Sequence, residues 1–114
     1  MKVILSNMCT ALVGMLKPEL GYFLVQRGDS FFSQRSRHSV PPDGHWRFIV
    51  LCAELAQNGL YISDIQVSRA ELLNALSEAG LSLSCARDVR REVLSASDIL
   101  SIRSNIIRQN PARL

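Results

Sequence analysis

The sequence lacks the residue patterns that hold metals and phosphates. Its three cysteines and two histidines form no Cys-x-x-Cys pair and no His-Glu-x-x-His motif, which argues against a metal site. Its six glycines form no phosphate-binding loop. His45 and Cys52 lie two helical turns apart, which is too far for a nucleophile and its base. We therefore predict a protein that is not an enzyme and needs no cofactor.

Long apolar runs are also missing, which argues against a membrane span of ~20 residues. Ser6, Asn7 and Thr10 interrupt the apolar N-terminal stretch, and no signal-peptide cleavage pattern follows it. The cysteines are few and odd in number, which favours reduced, buried thiols over a disulfide framework. These absences predict a cytoplasmic protein without a membrane partner.

A strong charge of one sign is absent as well. The 114 residues are 47% hydrophobic and 20% charged, which is the composition of one folded domain spanning 1–114. The net charge of +3 is compatible with a nucleic-acid partner but is too small to require one. Composition therefore predicts a folded domain and leaves its partner open.

The central feature that is present is an apolar stretch, His45–Gln57. Its apolar residues run almost all round a helical wheel, which indicates a helix packed by neighbours on more than one side. Two prolines precede it, Asp43 is the candidate N-cap, and Asn58-Gly59 supplies a left-handed C-cap. We expect the domain to be organised around this helix.

Four further segments flank the central helix. Apolar residues at three- and four-residue spacing predict an N-terminal helix over 3–16. Pro18 ends this helix at Lys17, so the N-terminal segment is 1–17. Residues 21–33 have the composition of a hairpin, 34–44 form a polar loop, and a C-terminal helix is expected over 97–110. The predicted fold class is α+β, mostly α: a small helical domain with one or two short β-strands or a hairpin.

Within the helical core at 45–94, the sequence predicts a helix-turn-helix-like pair. Ser68 and Glu71 form a capping box that opens the first helix, and Gly80 provides the positive φ of the turn. Ser84 caps a second helix whose apolar spacing continues through Val89 and Val93. Since Leu76 stands where this motif usually has Ala or Gly, a plain helical hairpin is the alternative.

If the second helix enters a major groove, its first residues and its outward face contact DNA. We expect nucleic-acid contacts from Ser82, Ser84, Arg87, Arg90 and Arg91, with Arg35 and Arg37 added from the polar loop. The alternative is a solvent face on which these arginines pair with Asp88 and Glu92.

The order of these elements resembles the N-terminal winged-helix domains of phage replication initiators and replisome organisers. The residues that carry the resemblance are Phe31-Phe32, Trp46–Gly59, Leu60-Tyr61-Ile62-Ser63 and Ser68–Leu94. It implies that the second helix of the pair is a recognition helix with Arg87, Arg90 and Arg91 on the DNA. The chain departs from that pattern in its N-terminal apolar helix and in having a helix, not a β-wing, after residue 94.

The leading hypothesis is therefore a small DNA-binding or regulatory module of a mobile element or phage, which requires the arginines to converge on one face. The second is a non-enzymatic protein-interaction module, with a homodimer or other partner held by the apolar helices at 3–16 or 98–109. The third is a ligand pocket near His38, His45 and Trp46.

Overall fold

The computed structural model describes residues 1–5, 21–28, 30–35 and 40–109. Within these ranges the chain forms five β-strands and three α-helices. The strands are β1 (Lys2–Leu5), β2 (Tyr22–Arg27), β3 (Ser30–Arg35), β4 (Ile62–Ser68) and β5 (Val93–Leu94). The helices are α1 (Gly44–Gln57), α2 (Arg69–Glu78) and α3 (Ala96–Gln109).

The strands form one sheet in the order β2-β3-β1-β4-β5, and every neighbouring pair is antiparallel. Because β1 lies antiparallel to both β3 and β4, those two strands are parallel to each other. The chain passes from β3 to β4 through α1. The result is a split β-α-β unit with β1 inserted between its two parallel strands.

The sheet has one face on the core and one face on the outside. Val3 is paired with Phe31 and with Ile65, and all three side chains are buried. Along β4, exposed Gln66 and Ser68 alternate with buried Ile65 and Val67. α1 packs on β4 and on α3, so the helices cover the inner face and close a single hydrophobic core.

The fold is α+β, but the prediction that it is mostly α is wrong, because a five-stranded antiparallel sheet packs with the three helices. The predicted helix at 3–16 is wrong at its start, where Lys2–Leu5 is strand β1; the remainder of that prediction lies outside the described residues. The apolar run Val3-Ile4-Leu5 suits a helix or a strand equally well. Hydrogen bonds from strands on both sides decide for the strand.

α1 begins and ends close to the predicted central helix. Gly59 adopts the expected positive φ, 66°, directly after the helix. Asp43 occupies the N-cap position, but its side chain makes no capping hydrogen bond, so that part of the prediction is wrong. Only the Asp43 carbonyl contributes, by accepting the first helical hydrogen bond from the Arg47 amide at 2.9 Å.

The predicted hairpin is the pair β2–β3, in which Arg27 lies opposite Ser30 and Gly28 takes a positive φ of 63° in the turn. β3 continues to Arg35, so the predicted polar loop begins later than expected. Residues 36–39 of that loop lie outside the described residues.

The helix-turn-helix prediction holds for the first helix and the turn but is wrong for the second helix. Ser68 accepts a capping hydrogen bond from the Glu71 amide at 3.1 Å, and Gly80 has a positive φ of 70°. After the turn, Leu83–Ala86 forms a single 3-10 turn, and Val93–Leu94 is strand β5. Pairing of β5 with Val67 and Ser68 holds this segment extended, which a helix would not allow.

Candidate partner-binding groove

Five of the seven residues predicted to contact nucleic acid lie on an irregular segment between α2 and β5. Ser82 caps the 3-10 turn by accepting a hydrogen bond from the Ser84 amide at 3.3 Å, and the two hydroxyls lie 2.7 Å apart. Arg87 and Arg90 follow and are exposed. Arg91 is also exposed, but its guanidinium pairs with Asp98 at the start of α3, at 3.3 Å.

The two arginines predicted from the loop belong elsewhere. Arg35 ends β3 and lies 3.8 Å from the carboxylate of Glu78 on α2. Arg37 lies outside the described residues. Arg35 and Arg91 are therefore held by ion pairs on different elements, and no recognition helix is present to orient Arg87 and Arg90.

One concave feature is a groove of about 950 Å³ that is lined by α1, by α3 and by the turn after α2. α1 forms its floor, the C-terminal half of α3 forms one wall, and the turn after α2 closes one end. The side chains that line it are mostly apolar: Trp46, Val50, Leu51, Leu81, Ile106 and Ile107. We call this feature the α1/α3 groove.

The groove exists because α1 is apolar on two opposite sides. One side, with Phe48, Ile49 and Cys52, is completely buried against the sheet. The other side carries Val50 and Leu51, which are only half-buried and face the groove. A helix that is apolar all round was predicted to have neighbours on more than one side, and this outer side is where α1 still exposes apolar surface.

Charged side chains surround the apolar floor. Glu54 on α1 forms an ion pair with Arg103 on α3 across the groove. Among the described residues, Arg47 is exposed and makes no ion pair, and Asp43 lies one turn before it. An apolar centre with a charged rim is the usual anatomy of a protein-binding surface.

A second cluster, at the opposite side of α1, is buried and structural. The Glu71 carboxylate accepts a hydrogen bond from His45 Nε2 at 3.1 Å. Its other oxygen forms an ion pair with the Met1 ammonium at 2.7 Å. The hydrogen bond from His45, assisted by the Met1 ammonium, lowers the pKa of Glu71 from 4.5 to about 2 against the opposing effect of burial. This cluster joins β1, α1 and α2.

The capping box predicted at Ser68 and Glu71 is therefore only half formed. The Ser68 hydroxyl caps α2 as expected, whereas the Glu71 carboxylate binds His45 and Met1. Nor does His45 line a ligand pocket with Trp46: His45 is buried beside Glu71, and Trp46 faces the α1/α3 groove. His38 lies outside the described residues.

The thiols of Cys52 and Cys85 are both free and buried in the core. Cys52 is fully buried, and that burial raises the pKa of its thiol to about 12, so it is not a thiolate at neutral pH. Across the described ranges no three His, Cys, Asp or Glu side chains are grouped to hold a metal ion. None of the helices α1 to α3 is long and apolar enough to span a membrane.

Comparison with known proteins yields no match to a family model, to a characterised protein or to a solved structure. The resemblance to winged-helix domains therefore stays a prediction.

Sequence reasoning missed the α1/α3 groove as a site. The signal was present in α1, where Val50 and Leu51 are apolar on the side opposite the core and Arg47 and Glu54 flank them. The apolar pattern predicts neighbours on more than one side of α1, but it does not say which side stays open. In the structure α3 packs beside α1, which leaves the side of α1 with Val50 and Leu51 open to the groove.

Proposed function

We propose that this protein is a non-enzymatic protein-interaction module that binds its partner in the α1/α3 groove. One observation carries the proposal: half-buried Val50 and Leu51 form an apolar floor of a groove of about 950 Å³ within a charged rim. An apolar floor inside a charged rim is the arrangement of many protein-binding surfaces.

The lining residues support a protein partner more than a small molecule. Trp46 lies at the base of the groove, where it is 7% exposed and supports the apolar floor. Ile106 and Ile107 provide a second apolar wall on α3. The polar groups of the groove are charged side chains at its rim, where they would set the orientation of a docked helix or strand.

The proposal is tested by placing a photo-crosslinking amino acid at position 47, on the groove rim, in the cell that produces the protein. The matched control carries the same amino acid at Gln57, which is exposed on α1 outside the groove. We expect a defined crosslinked peptide from position 47 only. Adding Leu51→Glu, which puts a charge on the apolar floor, should abolish it, whereas Gln57→Glu should not.

The outcome that contradicts the proposal is equally defined. If position 47 gives no crosslink, or if Leu51→Glu leaves the crosslink unchanged while the variant is folded, the groove is not the binding site. Folding of each variant is checked by its thermal unfolding transition, because Leu51 also packs at the edge of the core.

Double-stranded DNA is the second candidate partner. Exposed Arg87 and Arg90 lie in one short segment without an ion pair to any other described residue, and such arginines can contact phosphates. The test is fluorescence anisotropy of a mixed-sequence duplex at two salt concentrations. Salt-sensitive binding that Arg87→Ala/Arg90→Ala weakens, and that the equal charge change Lys2→Ala/Arg27→Ala does not, would favour DNA. No binding at micromolar protein in low salt would exclude it.

A further inference from the structure

We propose that the occupant of the α1/α3 groove is α1 of a second copy of this chain, packed antiparallel about a two-fold axis. This inference rests on the proposed function and deepens it by naming the partner. It is carried by the charge pattern of α1 and by the position of α3.

The charges on the outer side of α1 are self-complementary. Arg47 lies three residues before Val50, and Glu54 lies three residues after Leu51. In an antiparallel helix pair centred between Val50 and Leu51, Arg47 of each copy therefore lies opposite Glu54 of the other. An interface with two-fold symmetry requires this reciprocity, since every contact occurs twice.

The four residues lie on one stripe of the helix. Positions 47, 50, 51 and 54 recur at three- and four-residue spacing, and all four line the groove. Two apolar residues at the centre with one cation and one anion at equal distances is the pattern of an antiparallel helix seam. A binding site for an unrelated partner would not need the charges to be placed symmetrically.

The asymmetric position of α3 gives the second copy a place to fit. α3 packs beside α1 and forms one wall of the groove, so the floor that Val50 and Leu51 form stays open to a second helix. A two-fold axis through this floor, between Val50 and Leu51, lays each α1 on the groove floor of the other copy. Val50 and Leu51 of each copy then pack against those of the other, beside the walls that Ile106 and Ile107 form.

Arg47, Glu54 and Arg103 on the rim can all form ion pairs in the dimer. Arg47, which has no ion-pair partner among the described residues, gains Glu54 of the second copy. Glu54 already binds Arg103 through one carboxylate oxygen, and its second oxygen can accept the incoming guanidinium. At each end of the helix pair, Glu54 of one copy therefore binds Arg103 of its own chain and Arg47 of the other copy.

The test is sedimentation velocity of the full chain from ~1 to ~100 µM, a range that covers a micromolar dissociation constant. We expect a monomer–dimer equilibrium that Leu51→Glu abolishes and that the control Gln66→Glu, on the exposed face of β4, leaves unchanged. Arg47→Glu and Glu54→Arg should each weaken self-association by ~10-fold or more, because both symmetric contacts become repulsive. An equimolar mixture of those two variants should restore the dimer, because each contact in the mixed pair again joins opposite charges.

Three results would overturn the inference: a wild-type monomer at ~100 µM, a dimer that Leu51→Glu does not weaken, or a mixture of folded charge variants that fails to recover. A photo-crosslinking amino acid at Asp43, which lines the groove but lies outside the Arg47–Glu54 seam, separates this inference from the proposed function. A crosslinked peptide from this same chain agrees with the dimer. A peptide from another protein, with a monomer in sedimentation, removes the dimer and leaves the interaction module; a monomer without any crosslink removes both.

Discussion

His45 Nε2 lies 3.1 Å from Oε1 of Glu71, although the two residues are 26 positions apart in the chain. The other carboxylate oxygen binds the Met1 ammonium at 2.7 Å. One carboxylate thus links the start of α1, the first turn of α2 and the strand β1. The side chain of Glu71 is 23% exposed and that of His45 is 9% exposed, so both contacts are largely shielded from water.

Replacing this carboxylate should destabilise the fold. Glu71→Gln leaves a partly buried ammonium and imidazole without a charged acceptor, which should lower the free energy of unfolding by about 2 kcal/mol. The matched control is Glu78→Gln, whose ion pair with Arg35 is exposed and 3.8 Å long. It should cost under about 0.5 kcal/mol. Urea denaturation measures the free energy of unfolding of both variants. Equal losses would show that the Glu71 cluster stabilises the fold no more than an exposed ion pair does.

The same contact predicts the acid sensitivity of the fold. Because the pKa of Glu71 is lowered from 4.5 to about 2, the unfolded chain binds this proton more readily than the folded one. Its stabilisation is complete above the unfolded pKa and is lost as pH falls toward the folded pKa. The difference in unfolding free energy between wild type and Glu71→Gln should therefore shrink between pH 4.5 and about 2. A difference that stays constant over that range would contradict the assignment.

Cys52 should be unreactive in the folded protein. Its side chain is fully buried, and burial raises the pKa of the thiol to about 12, so neither access nor ionisation favours attack. In the variant Cys9→Ser/Cys85→Ser, labelling of Cys52 by an aromatic disulfide reagent should be at least ~100-fold slower than in urea, because it needs local or global opening. Rapid labelling without denaturant would show that α1 is not packed on the sheet as described.

Two glycines with the same backbone conformation should differ in their tolerance of alanine. Gly21 has a φ of 76°, and a Cβ there would lie 2.4 Å from Cγ2 of Val40, whereas Gly28 has a φ of 63° and nothing within 4 Å of such a Cβ. Gly28→Ala should cost about 1 kcal/mol for the backbone alone. Gly21→Ala adds a steric clash and should cost about 2–3 kcal/mol. Thermal unfolding compares them, and equal costs would mean that the Gly21–Val40 approach is not tight.

Much of the local structure followed from short-range rules. The left-handed Gly59 after α1, the Ser68 cap of α2 and the left-handed Gly80 were predictable, because each depends on residues within one helical turn. These short-range rules do not predict the candidate site. Whether Val50 and Leu51 face a neighbour or solvent depends on where α3 packs, and no local pattern contains that information.

The helix α1 could be predicted from the sequence, because apolar residues run almost all round its helical wheel between the proline pair and Asn58-Gly59. Sheet pairing, and not a local pattern, makes Lys2–Leu5 a strand and keeps Val93–Leu94 from being helical. Both segments have apolar spacing that suits either state, and their backbone hydrogen bonds go to partners far away in the chain. Long-range pairing of this kind replaced the predicted recognition helix with the edge of a sheet and left the α1/α3 groove as the candidate site.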